Sequence, residues 1–161
     1  MAYNSSWKLP QTLLLPLLCL PFLQAQSSGY LTVGHASTVS GKRNATVEAR
    51  IPVSVQPGFH VNGDKPSEEY LIPLKLTWTS TGALQAGAIV YPKATQEKYE
   101  FAEKPLLVLT GNFDIVANFK VAGNASAGPG SAAGKLRYQA CNNRACFQPR
   151  TVDVTVNYQI Q

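Results

Sequence analysis

The stretch Val47-Glu-Ala-Arg-Ile-Pro-Val-Ser-Val55 places Val47, Ala49, Ile51, Val53 and Val55 on one side of an extended chain, with Glu48, Arg50, Pro52 and Ser54 on the other. Side chains of a strand alternate faces with a period of two, so this reads as a half-buried strand. Pro52 has no N–H to give to a ladder, which predicts an edge position or a bulge at that point. The same period returns in Tyr70, Ile72, Leu74, Leu76 and Trp78. It returns again in Phe113, Ile115, Ala117, Phe119 and Val121, set against Asp114, Asn118 and Lys120. Near the C-terminus Val152, Val154, Val156 and Tyr158 alternate with Thr151, Asp153, Thr155 and Asn157. Shorter candidate strands are Tyr30–Val33, Gly87–Tyr91, Leu106–Leu109 and Lys135–Ala140. No segment sustains helical spacing, and the 12 glycines and 11 prolines fall mostly between the runs as turn punctuation. About seven or eight short strands predict an all-β fold, an immunoglobulin-like antiparallel β-sandwich. Gly123–Gly134, made almost wholly of small residues, reads as a flexible loop. Ala94–Lys104 reads as a charged loop that carries Tyr99 and Phe101.

Of the 161 residues, 45% are hydrophobic and 14% charged. That apolar content argues against disorder, and the length argues for one domain. Leu13–Leu23 is an apolar run broken by Pro16 and Pro21, preceded by Lys8 and followed by Ala25, Ser27 and Ser28. It is too short to span a bilayer, which takes about 20 residues. A basic start, an apolar centre and a small-residue end are the layout of a secretory signal peptide. Residues 1–25 are read as that signal, cleaved after Ala25, and residues 26–161 as the mature domain. Cys19 as a lipid anchor is disfavoured by Leu18, which fills a place where a small residue is usual. Loss of the signal removes Lys8 alone among the charges, lowering the net charge of +5 by one. Such a mild excess is no nucleic-acid footprint. The product is expected to be exported and soluble, without stable membrane insertion, where disulfides persist. Sequons occur at Asn44 and Asn124 and matter only in a host that glycosylates.

Signal removal turns three cysteines into two, Cys141 and Cys146. They lie in Tyr138-Gln-Ala-Cys-Asn-Asn-Arg-Ala-Cys-Phe-Gln-Pro149, between an entering and a leaving strand. Asn142 and Asn143 tolerate turn conformations, so a hairpin-like reversal brings the α-carbons within disulfide range. Three readings stand for the pair: a redox site, a structural staple or part of a metal site. In the chain-entropy picture so short a loop gains roughly 2 kcal/mol, against roughly 4 for a loop of ~70 residues, which makes an inefficient staple. A zinc set would add His35 and His60, but neither has the usual close spacing. No Asp or Glu occurs between Asp114 and Asp153, whereas Lys120, Lys135, Arg137, Arg144 and Arg150 do. Nearby cations favour thiolate, the attacking species in exchange; burial under an aromatic cover opposes it.

Leu136–Pro149 resembles the cysteine segment of the amino-terminal periplasmic domain of DsbD, the thiol:disulfide interchange protein. Pro57-Gly-Phe-His-Val-Asn62, followed by Lys65-Pro-Ser and Tyr70-Leu-Ile-Pro73, resembles a Gly-aromatic-His-hydrophobic-Asn stretch of that family. Tyr91–Phe101 resembles the stretch leading into the family's cap loop. The match runs from about residue 30 to 160. The resemblance implies an immunoglobulin-like sandwich in the periplasm with Cys141 and Cys146 as the redox-active pair and no cofactor. It implies Phe101 as capping aromatic with Tyr99 and Glu100 beside it. It also implies Phe59, His60, Asn62, Arg144 and Phe147 around the cysteines. The chain departs from the best-studied member in having His60 and Asn62 where tyrosines stand, and in its cysteine spacing. Full-length DsbD adds a membrane electron-transfer domain and a thioredoxin-like domain, so the resemblance leads us to expect that this domain takes electrons from a separate protein.

The expected chemistry is thiol–disulfide exchange. Electrons would come from a thioredoxin-like protein or a membrane electron transporter and pass to periplasmic disulfide-bearing proteins. Cys146 is expected to form the mixed disulfide. Arg144 either stabilises thiolate or is a solvated turn residue. His60 either packs or titrates near neutrality and aids exchange. Phe101 would shield the sulfurs. The competing reading is a non-redox binding module, a stapled sandwich presenting Ala94–Lys104 and the 141–146 hairpin to a protein partner.

Overall fold

The computed structural model describes residues 29–161, and these form twelve strands. The expected signal over residues 1–25, with Cys19 and the cleavage after Ala25, lies outside the described residues. The first sheet has the order β1 (Leu31–Val33), β3 (Thr46–Val55), β9 (Asn112–Val121), β6 (Leu84–Val90). The second has the order β2 (Val39–Gly41), β12 (Arg150–Ile160), β10 (Gly128–Tyr138), β5 (Lys75–Ser80). All of these pairings are antiparallel except β2 with β12. The inward faces meet in one core. Ala49, Ile51, Ile115, Ala117 and Phe119 from the first sheet join Ala132, Leu136, Val154, Val156 and Ile160 from the second. This is the expected all-β, immunoglobulin-like sandwich, and the alternation that predicted β3, β9 and β12 is the alternation of burial along them. Among the described residues no helix is long and apolar enough to cross a membrane.

Four local expectations are corrected. Pro52 sits in an interior strand, not at an edge. Its carbonyl accepts from the Gly34 N–H, on the β1 side. A residue's N–H and C=O point the same way in a strand, so the missing donor falls where the short β1 ladder runs out and no β9 bond is lost. The supposed loop Gly123–Gly134 is a strand from Gly128 onward, paired to β12 and then also to β5. Its small residues are the imprint of two rings: a Cβ on Gly130 would lie 2.3 Å from the Tyr158 ring, and one on Gly134 would lie 2.8 Å from the Trp78 ring. Tyr70–Leu74 is not a strand; β5 begins at Lys75, and Tyr70 is 68% exposed. Pro73 removes one ladder donor there, and Leu71 and Leu74 spend their N–H groups on Glu68 and Gly63 within the loop.

The fourth correction concerns the sheets themselves. A third, small sheet has the order β11 (Ala140–Cys141), β4 (His60–Asn62), β8 (Leu106–Leu109), β7 (Thr95–Glu97). It extends the sandwich at one end and carries the cysteine pair. Val61 of β4 joins the main core. A second cluster, Leu71, Ala102, Leu106 and Val108, forms a smaller core with Tyr99 and Cys146 packed against it.

Candidate functional site

The cysteine pair is built by a tight reversal. Cys141 ends β11 and pairs across an isolated bridge with Cys146, and the two are disulfide-bonded. Their α-carbons are 3.9 Å apart, nearer than the ~4.4–6.8 Å usual for bridged cysteines. Four residues make the turn. The Asn142 N–H donates to Ala145 O, and Asn142 Oδ1 accepts from the N–H groups of Arg144 and Ala145. This side-chain mimicry of a backbone turn is what Asn supplies well. The Phe147 N–H then donates to Ala140 O and closes the base. The reversal is thus held by hydrogen bonds in addition to the covalent bridge.

The two sulfurs have different surroundings. Cys141 is 0% exposed, whereas Cys146 is half-buried at the rim. Cys141 lies opposite His60 in the register, and Ala140 lies opposite Val61. His60 is 2% exposed, its Nε2 has no hydrogen-bond partner, and its ring stacks on Tyr99 at 4.1 Å. Burial lowers its pKa to about 4, because taking the imidazolium out of water costs more than taking out the neutral ring. With its pKa lowered this far the imidazole is neutral at physiological pH, which favours packing over titration among the two readings held for His60.

The segment from Lys98 to Lys104 is a bonded turn. Lys98 Nζ donates to the carbonyls of Ala102 and Glu103, and the Ala102 N–H donates to Tyr99 O. An ion pair from Lys104 to Glu68 at 3.5 Å and a bond from the Leu107 N–H to Ser67 Oγ tie this segment to the 63–74 loop. Tyr99 stacks between His60 and Phe101, with Phe101 centred 5.7 Å from it and 36% exposed. Burial, with the charge of Glu97 adding to it, raises the Tyr99 phenol above its usual range. Glu97, Glu100, Tyr99, Asn143 and Arg144 line one groove beside the hairpin. Arg144 is exposed there. Of the neighbouring cations, Lys135 is paired with Asp153 at 2.8 Å, and the Arg150 guanidinium lies 5.2 Å from the centre of the Tyr30 ring.

Phe59 and Phe147 meet on the other side of the hairpin base, where Tyr30 lies 4.5 Å from Phe59 and 4.7 Å from Phe147. Sequence reading missed Tyr30. It also missed Gln139, whose side chain bonds Asn62, the Ile72 N–H and Phe147 O. A glutamine between a tyrosine and an alanine carries no signal of such a role. Asn62, 0% exposed, donates to Ile72 O and leaves its own Oδ1 without a partner. His35 is exposed, and among the described residues no three His, Cys, Asp or Glu side chains come together as a metal set.

Residues 27–157 match the family described as the N-terminal part of thiol:disulfide interchange protein DsbD. In fold the chain is similar to the N-terminal periplasmic domain of ScsB from Proteus mirabilis, with a TM-score of 0.55 and 15% identity. That match covers 84% of this chain and 48% of the other, so the chain spans about half the length of that structure. It is also similar to the reduced N-terminal domain of DsbD from Neisseria meningitidis, with a TM-score of 0.44, 18% identity, and coverage of 74% and 86%. No curated protein matches the chain.

Proposed function

The chain belongs to the family of DsbD N-terminal domains, a family of thiol–disulfide interchange domains, and from that premise we propose that Cys141 and Cys146 relay reducing equivalents between partner proteins. The observation that carries the reading is the asymmetry of the pair. One cysteine is fully buried and the other is half-buried at the rim, on a reversal that hydrogen bonds already close. A staple there adds little that the turn lacks, whereas a bond with one less-buried cysteine suits directed attack.

A thiolate of a thioredoxin-like donor attacks Cys146 Sγ. The new bond joins the donor to Cys146, the Cys141–Cys146 bond breaks, and Cys141 leaves as thiolate and is protonated. The donor's second thiolate attacks its own sulfur in the mixed disulfide and releases Cys146. Two electrons have then moved from the donor dithiol to the pair, and the same steps in reverse deliver them to a substrate disulfide. Tyr99, stacked over His60, and Phe101 beyond it form the cover that limits attack by small oxidants. The upstream partner is a thioredoxin-like protein or a membrane electron transporter, and the downstream partners are disulfide-bearing proteins of the periplasm. Residues 1–25 act as the export signal and residues 26–161 as the working domain.

The test is trapping with single-cysteine variants. Cys141→Ala, with Cys146 first converted to its mixed disulfide with thionitrobenzoate, should release thionitrobenzoate and accumulate a mixed disulfide with a thioredoxin-like donor that lacks its resolving cysteine; Cys146→Ala is treated alike. Cys146→Ala should stay folded yet form no adduct and lose disulfide reduction. Equal adduct formation by both variants would overturn the assignment of Cys146. A wild-type potential below about −300 mV, where structural disulfides lie, would overturn the relay itself.

A further inference from the structure

We infer that Gln139 is a positioning residue that holds the reduced hairpin closed and so sets the reduction equilibrium of the Cys141/Cys146 pair; this rests on the pair being an exchange site. Gln139 stands between the end of β10 at Tyr138 and the start of β11 at Ala140. Its amide reaches three places at once. Oε1 accepts from Asn62 Nδ2 at 3.3 Å and from the Ile72 N–H at 3.2 Å, and Nε2 donates to Phe147 O at 3.1 Å. Asn62 Nδ2 also donates to Ile72 O at 3.0 Å, which closes a ring of bonds between β4 and the loop before β5. Phe147 is the residue after Cys146. The outgoing arm of the hairpin is therefore tied to the sheet by the Gln139 side chain and by the Phe147 N–H to Ala140 O bond.

While the disulfide is intact it holds the arm closed whatever Gln139 does. Reduction by glutathione consumes two thiol molecules, releases one glutathione disulfide and leaves two thiols on the protein. From then on only non-covalent ties keep Cys146 beside Cys141. The equilibrium constant for re-forming the bridge follows the effective concentration of one thiol at the other, which falls when a tether is cut. Loss of Gln139 thus weakens closure of the reduced form and leaves the oxidised form closed, making the pair more oxidising.

The experiment equilibrates wild type, Gln139→Met and Gln139→Glu with glutathione buffers at neutral pH and counts free thiols. Gln139→Met removes all three bonds at similar volume. Gln139→Glu keeps the acceptor for Asn62 and Ile72 and removes the donor to Phe147. Both should shift the equilibrium toward the dithiol by about tenfold, or about 30 mV for this two-electron couple. An equilibrium constant within twofold of wild type in a folded variant would overturn the inference, even if the unfolding midpoint falls. If neither variant folds, the wild type decides. The Gln139 side-chain amide protons should stay protected from hydrogen exchange after reduction, and their free exchange would refute the tether. Failure of the exchange reading looks different: the wild-type bridge would then stay oxidised in every buffer.

Discussion

His60 gives the fold a definite acid sensitivity. The residue is 2% exposed, and burial holds its pKa at about 4 against 6.5 for the free side chain. Above pH 6.5 the imidazole is neutral in both folded and unfolded chains, so it adds no pH dependence. Between pH 6.5 and 4 the unfolded chain takes up a proton that the folded one refuses. Stability is therefore lost on acidification through that window and levels off below pH 4. At pH 4.5 the loss due to this one group is roughly 2–3 kcal/mol, close to its full extent. Urea unfolding of the oxidised protein at pH 7.5 and pH 4.5 measures it, with His60→Phe as the reference. A phenyl ring preserves the stacking surface for Tyr99 and cannot titrate, so the variant should lose less stability than wild type by that amount. Carboxylates contribute to both proteins alike and drop out of the comparison. Equal losses in the two proteins would refute the reasoning and show that His60 has a proton-binding partner when folded.

Gly130→Val should destabilise the domain by roughly 1–3 kcal/mol in urea unfolding, because even a Cβ would lie 2.3 Å from the Tyr158 ring; an unchanged midpoint would show that the ring can move aside. Tyr99→Ala should raise the rate at which iodoacetamide alkylates Cys146 in the reduced protein several-fold, since Tyr99 and Cys146 pack against the same small cluster. An unchanged rate would remove Tyr99 from the cover. Lys135→Ala should alter stability by less than about 1 kcal/mol despite the 2.8 Å contact with Asp153, because the pair is 57% and 84% exposed. A larger loss would mean that the ion pair is coupled to the β10–β12 ladder.

What could be read in advance follows from which forces are local. The faces of β3, β9 and β12 are legible because a strand's period of two assigns each side chain to core or solvent from its neighbours alone. The cysteine pair is legible because a four-residue turn containing Asn142 and Asn143 is a local feature that brings the two cysteines near each other. Gly128–Gly134 was not legible as a strand. Its small residues complement the Tyr158 and Trp78 rings, which arrive from other strands of the sheet. The third sheet was hidden as well, because β4, β7 and β11 are two or three residues long and none has a period of its own.

The site divides along the same line. Sequence by itself determined an all-β chain with two cysteines on a tight turn and supplied the segments that mark its family. Only the tertiary structure decided that Cys141 is buried while Cys146 stands at the rim, that His60 is kept neutral, and that Gln139 binds three segments together. Burial and hydrogen-bond partnership at those residues depend on what β4, the 63–74 loop and the cap bring alongside. Those segments are distant in the chain, and no pattern within 138–149 encodes their approach.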